Sequence, residues 1–283
     1  PGARGSHAKG ICVAGSFEAS GNAKAVSSAA FLQGGSTPVV GRFSIGGGNP
    51  KASDKGKLRG LALRIGAPGG ETTDLVMINA PVFFISKAEH FIPFLEARRA
   101  DPATGKPDPA KVKAFNDAHP DTKPQAEFLA KAPVAASYAA SPYWAVNAFK
   151  FSNAAGKTVH ARWVFEPTAE RQALNEEQLK LIGDDFLAPE LEQRLRAGPA
   201  SFDVFLQVAG DGDAVTDPTI EWPKDRPQVR AGTLKLSSVT GQSCDALMFN
   251  PLQLAKGIAP SDDSTLLVRP PVYAASLARR AAK

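Results

Sequence analysis

Apolar and polar positions alternate through the first third of the chain, in short runs closed by glycine or proline. Ile11 to Phe17 is apolar and bounded by glycines. Pro38 to Ile45 carries Val39, Val40 and Phe43 ahead of Gly46-Gly47-Gly48, and Leu61 to Ile65 alternates before stopping at Pro68-Gly69-Gly70. Leu75 to Ile78 and Val82 to Ile85 are two more apolar runs, separated by Pro81. Runs of this length and period predict strands. Asn22 to Leu32, between the first two, has helical composition.

From Glu89 to Lys131 charges, prolines and alanines dominate. Helical patches are predicted at Phe91–Arg99 and Ala110–Ala118, around a Pro-rich loop from Asp101 to Pro109. This segment is expected to wrap over the strands without building a core of its own. Strands are predicted again at Trp144–Phe151 and Thr158–Phe165, joined by a hairpin turn at Asn153-Ala154-Ala155-Gly156. Glu176–Leu187 and Pro189–Arg196 read as helices, and Phe202–Val208, Gly232–Leu236 and Cys244–Phe249 as strands. The tail from Ser261 offers Asp262 and Asp263 as helix caps, then an apolar helix. Pro270 and Pro271 fit that helix only in its first turn or at a kink. Strands and helices do not alternate regularly, so an antiparallel barrel with helices is expected over a βαβ fold. The whole chain, 1–283, reads as one domain without an internal repeat.

The sequence has 283 residues, 43% hydrophobic and 22% charged, which is ordinary globular composition. No run of 18 apolar residues is present, so no helix is expected to span a membrane. Net charge is +5, but lysine and arginine are scattered. The only dense basic cluster is Arg279, Arg280 and Lys283, so nucleic acid is not an expected partner. Cys12 and Cys244 are far apart, lack metal-ligand spacing and are too few for a disulfide framework. Zinc and iron–sulfur sites are therefore not expected. No charged stretch leading into an apolar one opens the chain at Pro1, which reads as a processed or trimmed form. Compartment stays open between periplasm and cytoplasm. Gly46-Gly47-Gly48 lacks the Gly-Lys-Ser/Thr of a phosphate-binding loop, and neither GxGxxG nor GxSxG occurs.

Chemistry then rests on few residues. Of the four histidines, His119 lies in a polar Pro-rich loop and reads as solvated, His160 as a half-exposed sheet residue, and His90 as a helix opener without an obvious partner. His7 precedes Ala8-Lys9-Gly10 and a strand, and is a candidate acid–base group. Of the three tyrosines, Tyr138 and Tyr143 flank a proline turn. Tyr273 has Arg269 four residues before it and Arg280 seven after it, so on a helix these residues share a face with Ser276. A positive charge beside a phenol favours its anion, and a phenolate is a competent axial ligand of ferric haem. A tyrosine packed under the stems of two surface arginines fits the same spacing.

Taken in order, these segments resemble the haem catalase superfamily. His7-Ala8-Lys9-Gly10 is similar to the family's Val-His-Ala-Lys-Gly, and Gly41-Arg42-Phe43-Ser44 to its Val-Arg-Phe-Ser-Thr strand. Arg59-Gly60-Leu61-Ala62-Leu63-Arg64 resembles Arg-Gly-Phe-Ala-Leu-Lys. Asp74-Leu75-Val76 with Pro81-Val82-Phe83-Phe84-Ile85 matches Asp-Leu-Val-Gly-Asn-Asn-Thr-Pro-Ile-Phe-Phe-Ile without a gap. Trp222-Pro223, Gly232-Thr233-Leu234-Lys235-Leu236 and Arg269-x3-Tyr273-x6-Arg280 resemble later family motifs. The likeness spans nearly the whole chain and looks nearest to the short catalase-related peroxidases, which have parallels in bacterial oxidative-stress responses.

The resemblance implies an α+β fold: an eight-stranded antiparallel β-barrel of catalase type enclosing haem b (iron protoporphyrin IX), with outer helices. It implies His7 as the distal catalytic residue with Ser44 hydrogen-bonded to it, and Tyr273 as the proximal iron ligand with Arg269 as its partner. Arg4, Arg42 and Arg280 would meet the haem propionates, and Phe91 would stack near the distal haem face. The expected activity is a peroxidase that reduces hydrogen peroxide or organic peroxides with a small organic electron donor, as a monomer or small homo-oligomer. Ile78 occupies the position of the family's catalytic asparagine, with Asn79 next to it, so catalase turnover is expected to be weak. A one-residue shift could instead bring Asn79 inward. Ser6 stands where typical catalases have valine and resembles the threonine of allene oxide synthases, which keeps a hydroperoxide isomerase or lyase open. A true catalase and a non-enzymatic haem carrier are the remaining alternatives.

Overall fold

A computed structural model describes residues 3–282, so Pro1, Gly2 and Lys283, the last a member of the basic C-terminal cluster, lie outside the described residues. The described residues form ten strands: β1 Gly10–Ala19, β2 Gly35–Ile45, β3 Arg59–Ile65, β4 Thr73–Ile78, β5 Tyr143–Trp144, β6 Phe149–Ser152, β7 Thr158–Pro167, β8 Ala200–Val208, β9 Gln228–Gly241 and β10 Ile258–Pro260. They also form seven α-helices: α1 Phe91–Ala97, α2 Pro109–Ala118, α3 Lys123–Lys131, α4 Glu176–Leu181, α5 Leu187–Ala197, α6 Ser264–Leu267 and α7 Arg269–Ala281.

All strand pairs are antiparallel, and β1-β2-β3-β4-β5-β7-β8-β9 closes on itself through the β9–β1 pairing. This is the expected eight-stranded barrel; β6 and β10 extend the sheet from the first half of β7. Closure removes the exposed edges that an open sheet would leave. The period-two alternation sends Phe43, Leu61 and Met77, which sit opposite one another, into the interior. Phe17, Tyr143, Trp163, Phe165, Phe202 and Leu234 fill the same core.

The other face of β2–β4 departs from the simple apolar-in, polar-out pattern. Arg42, Ser44 and Ile78 point away from the interior yet are also buried. A sheet covered on both faces marks where a second layer lies. That layer is made by the N-terminal residues and the turn after β9. The turn is tied to β1 by a Cys12–Cys244 disulfide, with a Cα separation of 5.7 Å across 232 residues of sequence. Two cysteines too few for a disulfide framework and far apart in sequence thus still form one bridge.

Four predicted elements differ. Val82–Ile85 is not a strand: its backbone bonds outward, Phe83 N–H to the Pro218 carbonyl at 2.8 Å. Cys244–Phe249 forms turns instead of a strand, held by the disulfide. Trp144–Phe151 breaks into β5 and β6 around Asn147, whose side chain is drawn into a buried polar network. Asn22–Leu32 makes only two short 3-10 turns. In the tail, Asp263 caps α6, and Pro270 and Pro271 sit in the first turn of α7, where proline is tolerated. No helix among the described residues is long and apolar enough to cross a membrane.

Candidate active site

Register places Gly10, Ser44, Gly60 and Ile78 in one row across β1–β4, all on the outer face. The next row is Cys12, Arg42, Ala62 and Val76. His7 lies over the first row. Its φ of 52° is the only left-handed non-glycine backbone among the described residues. Such a conformation persists where surrounding contacts hold it. Here Arg42 donates from Nη1 to the His7 carbonyl at 2.8 Å and from Nη2 to the Ala8 carbonyl at 3.0 Å. Lys9, two residues on, is pinned to buried Asp54 at 2.7 Å.

The imidazole Nδ1 is 2.9 Å from Ser44 Oγ. Gly60 makes this approach possible, because a Cβ there would stand 2.8 Å from both His7 Nδ1 and Ser44 Oγ. Burial, reinforced by the fields of Arg42 and Arg269, pulls His7 down to about 4. The ring is therefore neutral near pH 7. When Nδ1–H donates to Ser44, Nε2 carries the free lone pair of a base.

Ile78 ends this row and packs with Ala80, Val146, Leu58 and Phe83. Asn79 is already committed: its Oδ1 accepts from Arg59 N–H and its Nδ2 donates to the Lys57 carbonyl, both at 2.8 Å. The Gly60–Ile78 register leaves no room for the one-residue shift that would turn Asn79 inward.

On the opposite side, α7 presents Tyr273. Arg269 donates to its oxygen from Nε at 3.0 Å and Nη2 at 2.7 Å. The third Arg269 nitrogen, Nη1, donates to Asn147 Oδ1 at 3.0 Å. Asn147 Nδ2 in turn donates to Asp263 Oδ2 at 2.7 Å and Thr265 Oγ1 at 3.0 Å. Arginine only donates and aspartate only accepts, so the Asn147 amide has a single orientation. Neither Asn147 nor this second role of Asp263 is marked in the sequence. No local pattern distinguishes an asparagine in a strand-like run, and Asp263 showed only as a cap.

Arg4, Arg42 and Arg280 converge on one turn. Arg4 and Arg42 lie 3.9 and 3.5 Å from the Asp245 carboxylate, and Arg280 donates to the Asp245 carbonyl at 3.3 Å. Arg4 also reaches the carbonyls of Cys244 and Leu247. Burial, with the fields of Arg42 and Arg280, lowers Arg4 to about 10. Three cations gather on one residue whose carboxylate only Arg4 and Arg42 approach, and the Nε of each of the three is buried without a hydrogen-bond partner. Buried donors left unpaired are costly, so this cluster suits further anionic oxygens. Beside it lie Ala62, Val76 and Ile78. An apolar wall bordered by surplus arginines, with a phenol held from across, fits a flat apolar group that carries carboxylates, as haem does.

Phe91 opens α1 and contacts Phe84 at 5.7 Å, and Phe84 contacts Phe83 at 4.3 Å. Phe83 packs on the Ile78 cluster, so Phe91 reaches that wall through two other rings. Ser6 is exposed. Trp222 serves structure: its indole N–H donates to the Ala214 carbonyl, and its ring lies under Arg162 at 4.3 Å. These two residues line a separate cleft of about 240 Å³ that includes neither His7 nor Tyr273.

The Catalase family's sequence profile matches residues 2–283. A catalase-related peroxidase of Synechococcus elongatus is 41% identical over 99% of this chain and 84% of its own length. One from Mycolicibacterium paratuberculosis is 35% identical over 99% and 90%. Among solved structures, a fungal catalase superposes with a TM-score of 0.88 at 24% identity, and a bacterial catalase with 0.86 at 23%. Each of these covers 97% of this chain, which spans only 59% and 57% of theirs, and the likeness shows a shared fold.

Proposed function

This chain belongs to the catalase family, and from that premise we propose that it is a haem peroxidase that reduces hydrogen peroxide or organic peroxides with a small organic donor, and whose catalase activity is weak. The observation that carries the reading is a neutral, buried-side imidazole set against Ser44, across from an arginine-held phenol, beside a wall that offers no second polar group at position 78.

In this reading Tyr273 would ligate the iron, Arg4, Arg42 and Arg280 would hold the propionates, and Phe91 would stack near the distal haem face. The group is taken to be non-covalent haem b, because no cysteine among the described residues is free for thioether attachment. Haem, when bound, supplies the redox-active iron at which the peroxide O–O bond breaks. His7 Nε2 would accept the peroxide proton and return it to the departing oxygen, which leaves as water from hydrogen peroxide or as an alcohol from an organic peroxide. Ser44 keeps the ring in the tautomer and plane that this transfer requires. Arg269 fixes the phenol oxygen, and Asn147 fixes Arg269. Each turnover consumes two electrons and two protons from the donor side, and the peroxide ends as two waters or as water and an alcohol. A full catalase cycle must also orient a second peroxide, and an aliphatic Ile78 cannot donate a hydrogen bond to it.

The exposed Ser6 hydroxyl gives the isomerase reading no anchor in the site. The buried disulfide favours an oxidising compartment such as the periplasm. The test of the core reading is the absorption spectrum of the haem-loaded chain together with its donor oxidation. A Soret band with high-spin ferric features, altered or lost in Tyr273→Phe, is expected, along with peroxide-dependent dye oxidation. A spectrum indifferent to Tyr273→Phe would contradict it.

A further inference from the structure

We propose that His90, His119 and Asp121 form a binding site for a divalent transition-metal ion of the zinc class, separate from the peroxide site. One ligand atom from each lies within 4.8 Å of the other two. The two imidazoles are in contact, with ring centroids 4.2 Å apart and planes inclined by 54°. This corrects the sequence expectation: His90 has a partner, and His119 is half-buried, stacked on Phe115 at 4.2 Å.

The donors are held and available. Ser86 binds one Asp121 oxygen, Oδ2, from its backbone N–H at 2.9 Å and its hydroxyl at 2.8 Å. That leaves Oδ1 and aims it, as supporting hydrogen bonds do for metal-binding carboxylates. These bonds outweigh the opposing effect of burial and, with the field of His90, keep Asp121 below the usual carboxylate range. His90 Nδ1 is buried without a hydrogen-bond partner, the kind of orphaned atom that native proteins rarely keep. Glu89 Oε1 lies 3.7 Å from His90 Nε2 and supplies a second nearby carboxylate.

Two nitrogens and a carboxylate oxygen suit zinc, nickel, cobalt or copper(II) more than calcium or magnesium. Bonds of about 2.0–2.1 Å in tetrahedral geometry bring ligand atoms to roughly 3.3 Å of one another. The triangle must therefore contract slightly on binding. The ligands come from the residue before α1, the end of α2 and the turn that follows it. An ion would tie these together, joined to Phe83 only through the successive rings of Phe115, Phe94 and Phe84.

The test is titration of the haem-loaded full chain with zinc against a fluorescent zinc chelator. One saturable zinc per chain is expected, with affinity lowered at least about 10-fold in His119→Ala and in Asp121→Asn. His160→Ala, on β7, should leave it unchanged. The Soret band and thermal melt report whether each variant folds, and His119→Gln stands in if the alanine variant does not. Absence of saturable binding, or equal affinity in wild type and the folded His119 and Asp121 variants, would overturn the proposal.

Discussion

The two sides of the site are built in opposite ways. The α7 side is a chain of hydrogen-bonded side chains, Tyr273–Arg269–Asn147–Asp263, in which each donor meets an acceptor. The barrel side has one imidazole, His7, whose ring meets one hydroxyl and whose backbone is held by Arg42, over a strand row that otherwise offers Gly60 and Ile78. Networks of the first kind fix a position, because removing any member leaves a buried partner unsatisfied. A sparse face of the second kind keeps one proton-transfer group and little else. The contrast separates what holds a ligand from what moves a proton, and mutations on the two sides should fail differently.

The largest effect is expected at His7. His7→Ala should lower the second-order rate of reaction with peroxide by roughly 100- to 10,000-fold. Haem content and the resting spectrum should stay close to wild type, as stopped-flow and absorption measurements would show. On the other side, Asn147→Val leaves Arg269 Nη1 and Asp263 without their partner. Loss of such a supporting contact is expected to weaken haem retention about 10- to 100-fold, read by haem transfer to a competing apoprotein. If Asn147→Val slowed peroxide reaction while leaving haem retention unchanged, the division of labour between the two sides would be wrong.

A smaller effect separates them by pH. His7 takes up a proton only at about 4, whereas an unperturbed histidine does so near 6.5. The free-base form should therefore persist well below neutrality, with the peroxide rate falling only as pH drops through about 4. Between these values the unfolded chain binds more protons at this residue than the folded one. Its contribution to stability is accordingly favourable above about 6.5 and shrinks as pH falls toward 4. A rate profile with its acid limb near 6.5 would mean that the imidazole is not held in this environment.

Much of this arrangement was legible in residue order, and the exceptions have physical causes. Alternation revealed β1–β4 because one face of each is packed into the barrel interior. It could not show that the reverse face is also covered, since Gly60 and Ala62 read as neutral positions. The length of β9 was underestimated because Ser237, Ser238 and Thr240 lie outside the apolar run. Helix α3 carries little local signal, with Pro124 in its first turn and a weak amphipathic pattern. Arg269, Tyr273 and Arg280 were found by helical spacing, but Asn147 and Asp245 are brought to them only by tertiary folding. The Cys12–Cys244 pairing is of the same kind, since proximity across so many residues leaves no local mark.

The central claim is that Ile78 tilts peroxide chemistry toward donor oxidation. Its most direct test compares oxygen release with dye oxidation, side by side, in haem-loaded wild type and Ile78→Asn. Wild type should oxidise dye readily and release oxygen slowly. One added hydrogen-bond donor, worth about 0.5–1.5 kcal/mol, should raise oxygen release roughly 2- to 10-fold in the variant. Fast oxygen release with negligible dye oxidation by the wild type, or no gain in Ile78→Asn with haem fully bound, would contradict the account.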